Sequence, residues 1–257
     1  MNAKFFLPAL GLLAVVGMVG CESSRYEPSS GLSGAAPALP RTEPQSTETE
    51  MLTRAAAQPT TPADGEGWRM IFDGKSLTGW QVTDFQEGGK AEVRDGLLLF
   101  AKGDPFVGVN YTNAIPKVNY EVVLDAMIVS GSDFFCGLTF PVKDSFCSFI
   151  VGGWGGSVVG LSSLDGADAS ENETTHFISF EKGRWYRIRV RVTEHKIEAW
   201  VEQKKVANVV YTGRKVSLRI GEIIMSKPFG LASYSTSAAY RGIKIRDVSE
   251  PASKDEP

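Results

Sequence analysis

The chain has 257 residues, of which 42% are hydrophobic and 22% charged, and a formal net charge of −3. That balance, with no long Lys/Arg run, excludes a nucleic-acid binder working through a basic face. No internal repeat is visible. Once the polar ends are set aside, roughly 180 residues remain, enough for one domain with a full core.

Met1 to Lys4 carry one early positive side chain, and an apolar and small-residue run follows from Phe5 to Gly20, broken only by Pro8. It is shorter than the ~20 apolar residues of a membrane-spanning helix. A charged start, a short apolar core and small residues before a cut site describe a secretory signal over residues 1–20. Met18-Val19-Gly20-Cys21 resembles the lipobox of bacterial lipoproteins. The resemblance implies a lipidated thiol at Cys21, export to the cell envelope, and a membrane partner reached through the lipid only. An ordinary signal peptide with a chance cysteine is the alternative. In such proteins Asp after the cysteine signals inner-membrane retention; Glu22 here points to the outer membrane. Residues 21–66 are rich in Ser, Pro, Thr, Ala and Glu without apolar periodicity. We read them as a disordered tether, with an r.m.s. span of about 40 Å.

The domain, residues 67–248, reads as strands. In 119–130, Tyr120, Val122, Leu124, Ala126 and Ile128 fall on one face and Glu121, Val123, Asp125 and Met127 on the other. In 184–193, Tyr186, Ile188, Val190 and Val192 alternate with Trp185, Arg187, Arg189 and Arg191. A turn at Glu194-His195-Lys196 leads into 197–202, where Ile197, Ala199 and Val201 alternate with Glu198, Trp200 and Glu202. Further strand-like runs lie near 69–72, 91–99, 145–151, 157–163, 175–181, 206–211 and 229–248, and no long stretch has helical period. The pattern predicts an all-β sandwich or jelly roll of two antiparallel sheets, with a disordered tail over 249–257.

The polar face of these strands collects Arg187, Arg189, Glu121, Asp125, Glu198 and Trp200. Guanidinium forks, carboxylates and an indole suit a carbohydrate, whose hydroxyls take bidentate hydrogen bonds and whose C–H faces stack on rings. The other reading is a solvated face bearing cross-strand Arg–Glu pairs. Cys136 and Cys147 would fall opposite each other if 134–139 and 144–149 paired across a loop at Phe140-Pro141-Val142-Lys143. They form either a disulfide or two buried thiols.

Several segments together resemble the 3-keto-disaccharide hydrolase family. Gly67-Trp68-Arg69-Met70-Ile71-Phe72-Asp73-Gly74-Lys75-Ser76-Leu77-Thr78-Gly79-Trp80 is similar to its opening, and Glu92-Val93-Arg94-Asp95-Gly96-Leu97-Leu98 to its next hairpin. Gly183 to Val190 is similar to a strand shared with concanavalin-like sandwiches, and Pro228–Tyr234 with Tyr240–Arg246 to the closing strands. The resemblance implies a concanavalin-like jelly roll with a sugar-handling sheet. It also implies cleavage of glycosides oxidised at carbon 3. A base removes the acidified C2 proton, the C1 oxygen is eliminated, and water adds to the enone. The chain departs from that family in its middle. Ser130–Gly137 carries no Arg, and Ile150–Gly156 no Glu or Gln, where the family has them.

Within that frame Asp125, Glu121 and His176 are candidate bases and Arg187 and Arg189 candidate polarising groups. Trp154 and Trp200 are candidate platforms, with Glu198 beside them. Trp154 stands among four glycines, as a sugar platform or at a tight corner. The acidic loop Asp165–His176 offers hard oxygen ligands for a structural calcium, or is a solvated turn. No other cofactor is indicated. Three functions follow: a tethered enzyme on 3-keto glycosides, a non-catalytic carbohydrate-binding module, or a structural envelope protein. Oligomeric state is not legible.

Overall fold

The alternation in 119–130 becomes a twelve-residue strand at the centre of one sheet. The computed structural model describes residues 47–248. The signal at 1–20, Cys21, the first part of the expected tether and the tail 249–257 lie outside them. In chain order the elements are helix α1 (Glu48–Ala57) and strands β1 (Arg69–Met70), β2 (Trp80–Val82), β3 (Ala91–Arg94), β4 (Leu97–Phe100) and β5 (Phe106–Tyr111). β6 (Tyr120–Gly131), β7 (Cys136–Val142), β8 (Ser145–Gly152), β9 (Val158–Ser162) and β10 (His176–Phe177) follow. β11 (Trp185–Val192), β12 (Lys196–Val201), β13 (Lys204–Val210), β14 (Gly230–Tyr234) and β15 (Thr236–Asp247) complete the domain.

Two antiparallel sheets stack as the expected jelly-roll sandwich. One has eight strands in the order β13-β12-β11-β6-β15-β4-β3, with β1 added on β15. The other has seven, β10-β9-β8-β7-β14-β5-β2. The inward residues predicted by parity form the core: Tyr120, Val122, Leu124 and Ala126 from β6 meet Ile188 and Val190 from β11, all buried. Each such side chain contributes ~1.5–3 kcal/mol on burial. Two tyrosines tie the sheets together through the core. Tyr240 donates to the Phe135 carbonyl and Tyr120 to that of Pro141, both at 2.6 Å.

The cysteine pairing fails on register. Val142 faces Ser145 across a two-residue turn at Lys143-Asp144, so Cys136 lies opposite Val151 and Cys147 opposite Phe140. Lys143 takes the left-handed conformation (φ 53°) that the turn requires, and Phe140-Pro141 stays in the strand instead of forming the loop. The hairpin is four residues out from the expected register, which keeps parity. Both cysteines face the core, but about 13 Å apart along the strands at ~3.3 Å per residue. They are free thiols, and burial pushes both up, Cys147 to about 12.

The expected tether over 21–66 also needs correction. Thr47 and Glu50 form a reciprocal capping box and start α1, which lays Met51, Leu52, Ala55 and Ala56 over Leu97, Leu99, Met127 and Val129. Residues 58–66 then cross the same outer face of the eight-stranded sheet as a strap. The apolar content of the helix is too slight to show helical period in the sequence; its partner is the apolar patch on β4 and β6.

Candidate functional site

The outer face of the seven-stranded sheet is half roofed by loops. β9 presents Gly160 outward, where a Cβ would come within 2.8 Å of the Ala169 carbonyl, so the acidic loop can close down there. On the other flank the connection between β13 and β14 folds over β14 and β5, and Asn110 Nδ2 donates to the Met225 carbonyl at 2.6 Å. Between the two roofs lies a cleft of about 320 Å³.

Ser148, Ile150 and Ser162 line the cleft from β8 and β9, and Phe106, Phe134 and Tyr234 from its aromatic flank. The rings of Phe106 and Tyr234 meet edge to face at 5.0 Å between centroids. Trp154, Asp133, Arg219 and Glu222 supply the remaining chemistry. Trp154 is 41% exposed, the most open aromatic of the cleft, and sits in a left-handed conformation (φ 48°, ψ 56°). Its turn, 152–156, is held by the Asp133 carboxylate, which accepts from Gly155 N at 3.1 Å and Phe134 N at 2.7 Å. Such strain in a bulky residue clusters at ligand sites.

Arg219 joins the cleft to the acidic loop. Its guanidinium lies 5.5 Å from the Trp154 ring centroid and 2.9 Å from Asp168 Oδ2. Asp168 in turn accepts from the hydroxyls of Ser162 and Ser163, both at 3.0 Å. Glu222 differs: its Oε2 is buried and has no hydrogen-bond partner. A buried carboxylate oxygen without a donor is costly, and a cleft is where such a group is useful.

The acidic loop is committed to arginine. Arg214 pairs with Asp165 at 2.7 Å and with Glu173. The Lys215 backbone N–H, then Arg214, holds Asp165 below the usual carboxylate range, and Arg214 does the same for Glu173. Among the described residues no group of three or more His, Cys, Asp or Glu is placed to hold a metal ion. The carboxylates considered for calcium are thus engaged by arginines, Asp165 and Glu173 by Arg214 and Asp168 by Arg219.

Except for His176, the other residues singled out in the sequence stand on the opposite sheet. Glu121 and Asp125 are buried, at 0% and 3% exposure, beneath a layer of arginines. Glu121 pairs with Arg189, Arg191 and Arg246; Asp125 pairs with Arg187 and Arg241. Trp200 is only 6% exposed and is capped by Arg189, whose guanidinium lies 3.9 Å from its ring centroid. Glu198 pairs with Arg191 and Lys205. His176 stands on the edge strand β10, opposite Val159, outside the cleft lining. Trp154 alone of the sequence candidates lines the cleft. Asp133, Arg219 and Glu222 were missed. The only hint of the last two was a long connection, 212–228, without strand alternation.

No curated protein is significantly similar to the chain. Among solved structures, carbohydrate binding module CBM66 from Bacillus subtilis is 12% identical, with 66% of this chain and 96% of that one covered and a TM-score of 0.47. A glycosyl hydrolase family protein from Mycobacterium fortuitum is 10% identical, with 69% and 97% covered and a TM-score of 0.43. The 3-keto-alpha-glucoside-1,2-lyase-like domain matches residues 67–246, the whole sandwich without the helix and the strap before it. The chain therefore belongs to the 3-keto-alpha-glucoside-1,2-lyase-like domain family.

Proposed function

We propose that the cleft on the seven-stranded sheet binds a sugar and cleaves glycosides oxidised at carbon 3, in a domain tethered to the envelope through Cys21. The observation that carries this reading is the unpartnered, buried Glu222 oxygen in a cleft shared with Arg219 and Trp154. Trp154 is the platform for a sugar C–H face. Glu222 removes the C2 proton, and the C–H electron pair moves through C2 onto the C3 oxygen, where the Arg219 guanidinium stabilises the enolate. Collapse of the enolate forms the C1–C2 double bond and expels the C1 oxygen, which takes the proton held by Glu222 and restores the carboxylate. Water then adds to C1 of the enone and a proton returns to C2, so the net change is hydrolysis.

The family departures at 130–137 and 150–156 support this placement. Arg219 and Glu222 line the same cleft as Asp133, Phe134, Ile150 and Trp154 of those segments, and we assign them the work of the absent arginine and acid. The test is incubation of the protein with an aryl glucoside and its 3-keto form, following release of the aryl alcohol. Release from the 3-keto form only, lost in Glu222→Gln with binding retained, is expected. Equal release by Glu222→Gln would remove Glu222 from the chemistry. Saturable binding without release would leave the second reading, a carbohydrate-binding module, which the aromatic lining of the cleft favours.

A further inference from the structure

Residues 58–66 lie on the eight-stranded sheet in an unusual way. Among the described residues they form no backbone ladder with any strand. Their carbonyls accept from arginine side chains instead. Arg241 donates to the carbonyls of Ala55, Gln58 and Pro59, at 3.2, 2.6 and 3.0 Å. Arg187 donates to those of Thr61 and Pro62, and Arg246 to those of Asp64 and Glu66. Each guanidinium is also fixed from below, Arg241 and Arg187 by Asp125 and Arg246 by Glu121. Trp185 stacks under Arg241 at 4.2 Å and Trp68 on Arg246 at 4.5 Å.

This is recognition of main chain, not of side chains. Six of the nine carbonyls of residues 58–66 are bonded in this way, Pro59 and Pro62 are three apart, and Gln58 has φ −72° and ψ 136°. The Gln58 dihedrals are those of the polyproline II conformation, which has no internal hydrogen bonds and leaves its carbonyls free. Docking of such segments against aromatic and polar side chains is a known peptide-binding mode. Gly65 lets the strap press close, since a Cβ there would strike Arg246. Gly67 (φ 81°) follows, with open space where a Cβ would stand.

We propose that the outer face of the eight-stranded sheet is a binding site for an extended, proline-bearing peptide, read through its carbonyls by Arg187, Arg241 and Arg246. Residues 47–66 are its resident ligand, separable from the sandwich and exchangeable with the same segment of another copy. This is independent of the sugar reading.

A protease recognition sequence inserted at Gly67 in the full chain, where a Cβ would meet nothing within 4 Å, allows the test. After cleavage, a labelled synthetic peptide of residues 47–66 is added and its anisotropy followed. Saturable exchange with the resident fragment is expected. A peptide with Thr60→Ala and Thr61→Ala should bind within about twofold of the parent, because carbonyls carry the contact. Pro59→Ala with Pro62→Ala should weaken binding about tenfold through lost preorganisation. On the sandwich, Arg246→Lys should weaken it about tenfold, since an ammonium cannot fork between Glu121 and the strap. Absence of exchange, or a peptide of residues 47–57 binding as tightly as 47–66, would overturn the proposal.

Discussion

The Asp133 carboxylate accepts a hydrogen bond from Gly155 N at 3.1 Å and so fixes the turn that carries Trp154. The backbone of Asp133 is itself anchored by Thr236, whose hydroxyl accepts from Asp133 N at 3.0 Å and donates to Asp133 O at 2.9 Å. The left-handed Trp154 is therefore held from across the sheet, from the hinge between β14 and β15. Asp133→Ala should leave the fold intact, at a cost of about 2 kcal/mol for the two lost bonds, from Gly155 N and Phe134 N. It should also raise acrylamide quenching of Trp154 fluorescence, read against a Trp154→Phe control. Asp133→Asn should restore most of the protection, since the amide oxygen can still accept.

Glu121 carries three arginines with no exposure of its own. Glu121→Gln should cost about 2 kcal/mol in urea unfolding, because three partly exposed guanidiniums lose the charge-assisted hydrogen bonds of their shared carboxylate. Turnover or binding per folded molecule should be unchanged. A variant of normal stability that no longer handles sugar would return this face to the site.

Cys136 and Cys147 are buried and their thiols are pushed up by desolvation. A fragment beginning after Cys21 should react with no thiol reagent at pH 8 in the native state. In denaturant it should release two equivalents, the number of free thiols present. Zero equivalents after unfolding would demonstrate a disulfide and an altered hairpin register.

The acidic loop should loosen in acid. Asp165 and Glu173 have folded pKa values below their unfolded ones, so their contribution is fully present above about pH 4–5. It is lost as pH falls through the lower, folded values. Urea midpoints measured from pH 6 down to pH 2.5 should therefore decline less steeply in Arg214→Met than in the parent. Equal slopes would mean that Arg214 does not set these carboxylates.

Strand parity fixed the inner faces of β6, β11 and β12 because side chains alternate with a period of two whatever lies outside. For the same reason it could not say what covers the outer face. The arginines of β11 look identical in sequence whether they meet water, a sugar or residues 58–66. The hairpin carrying the cysteines was misplaced by four residues because parity tolerates even slips and Pro141 resembled a loop residue. Gly152–Gly156 marked Trp154 through its glycines, whose left-handed backbone is a local property. Arg219 and Glu222 reach the cleft through long-range folding of the 212–228 connection, which leaves no periodic trace.

The helix and strap enter on one broad side of the sandwich, and the cleft opens on the opposite side. Residues 47–66 therefore leave the mouth of the cleft clear. A long chain could lie across that mouth without displacing the helix or the strap.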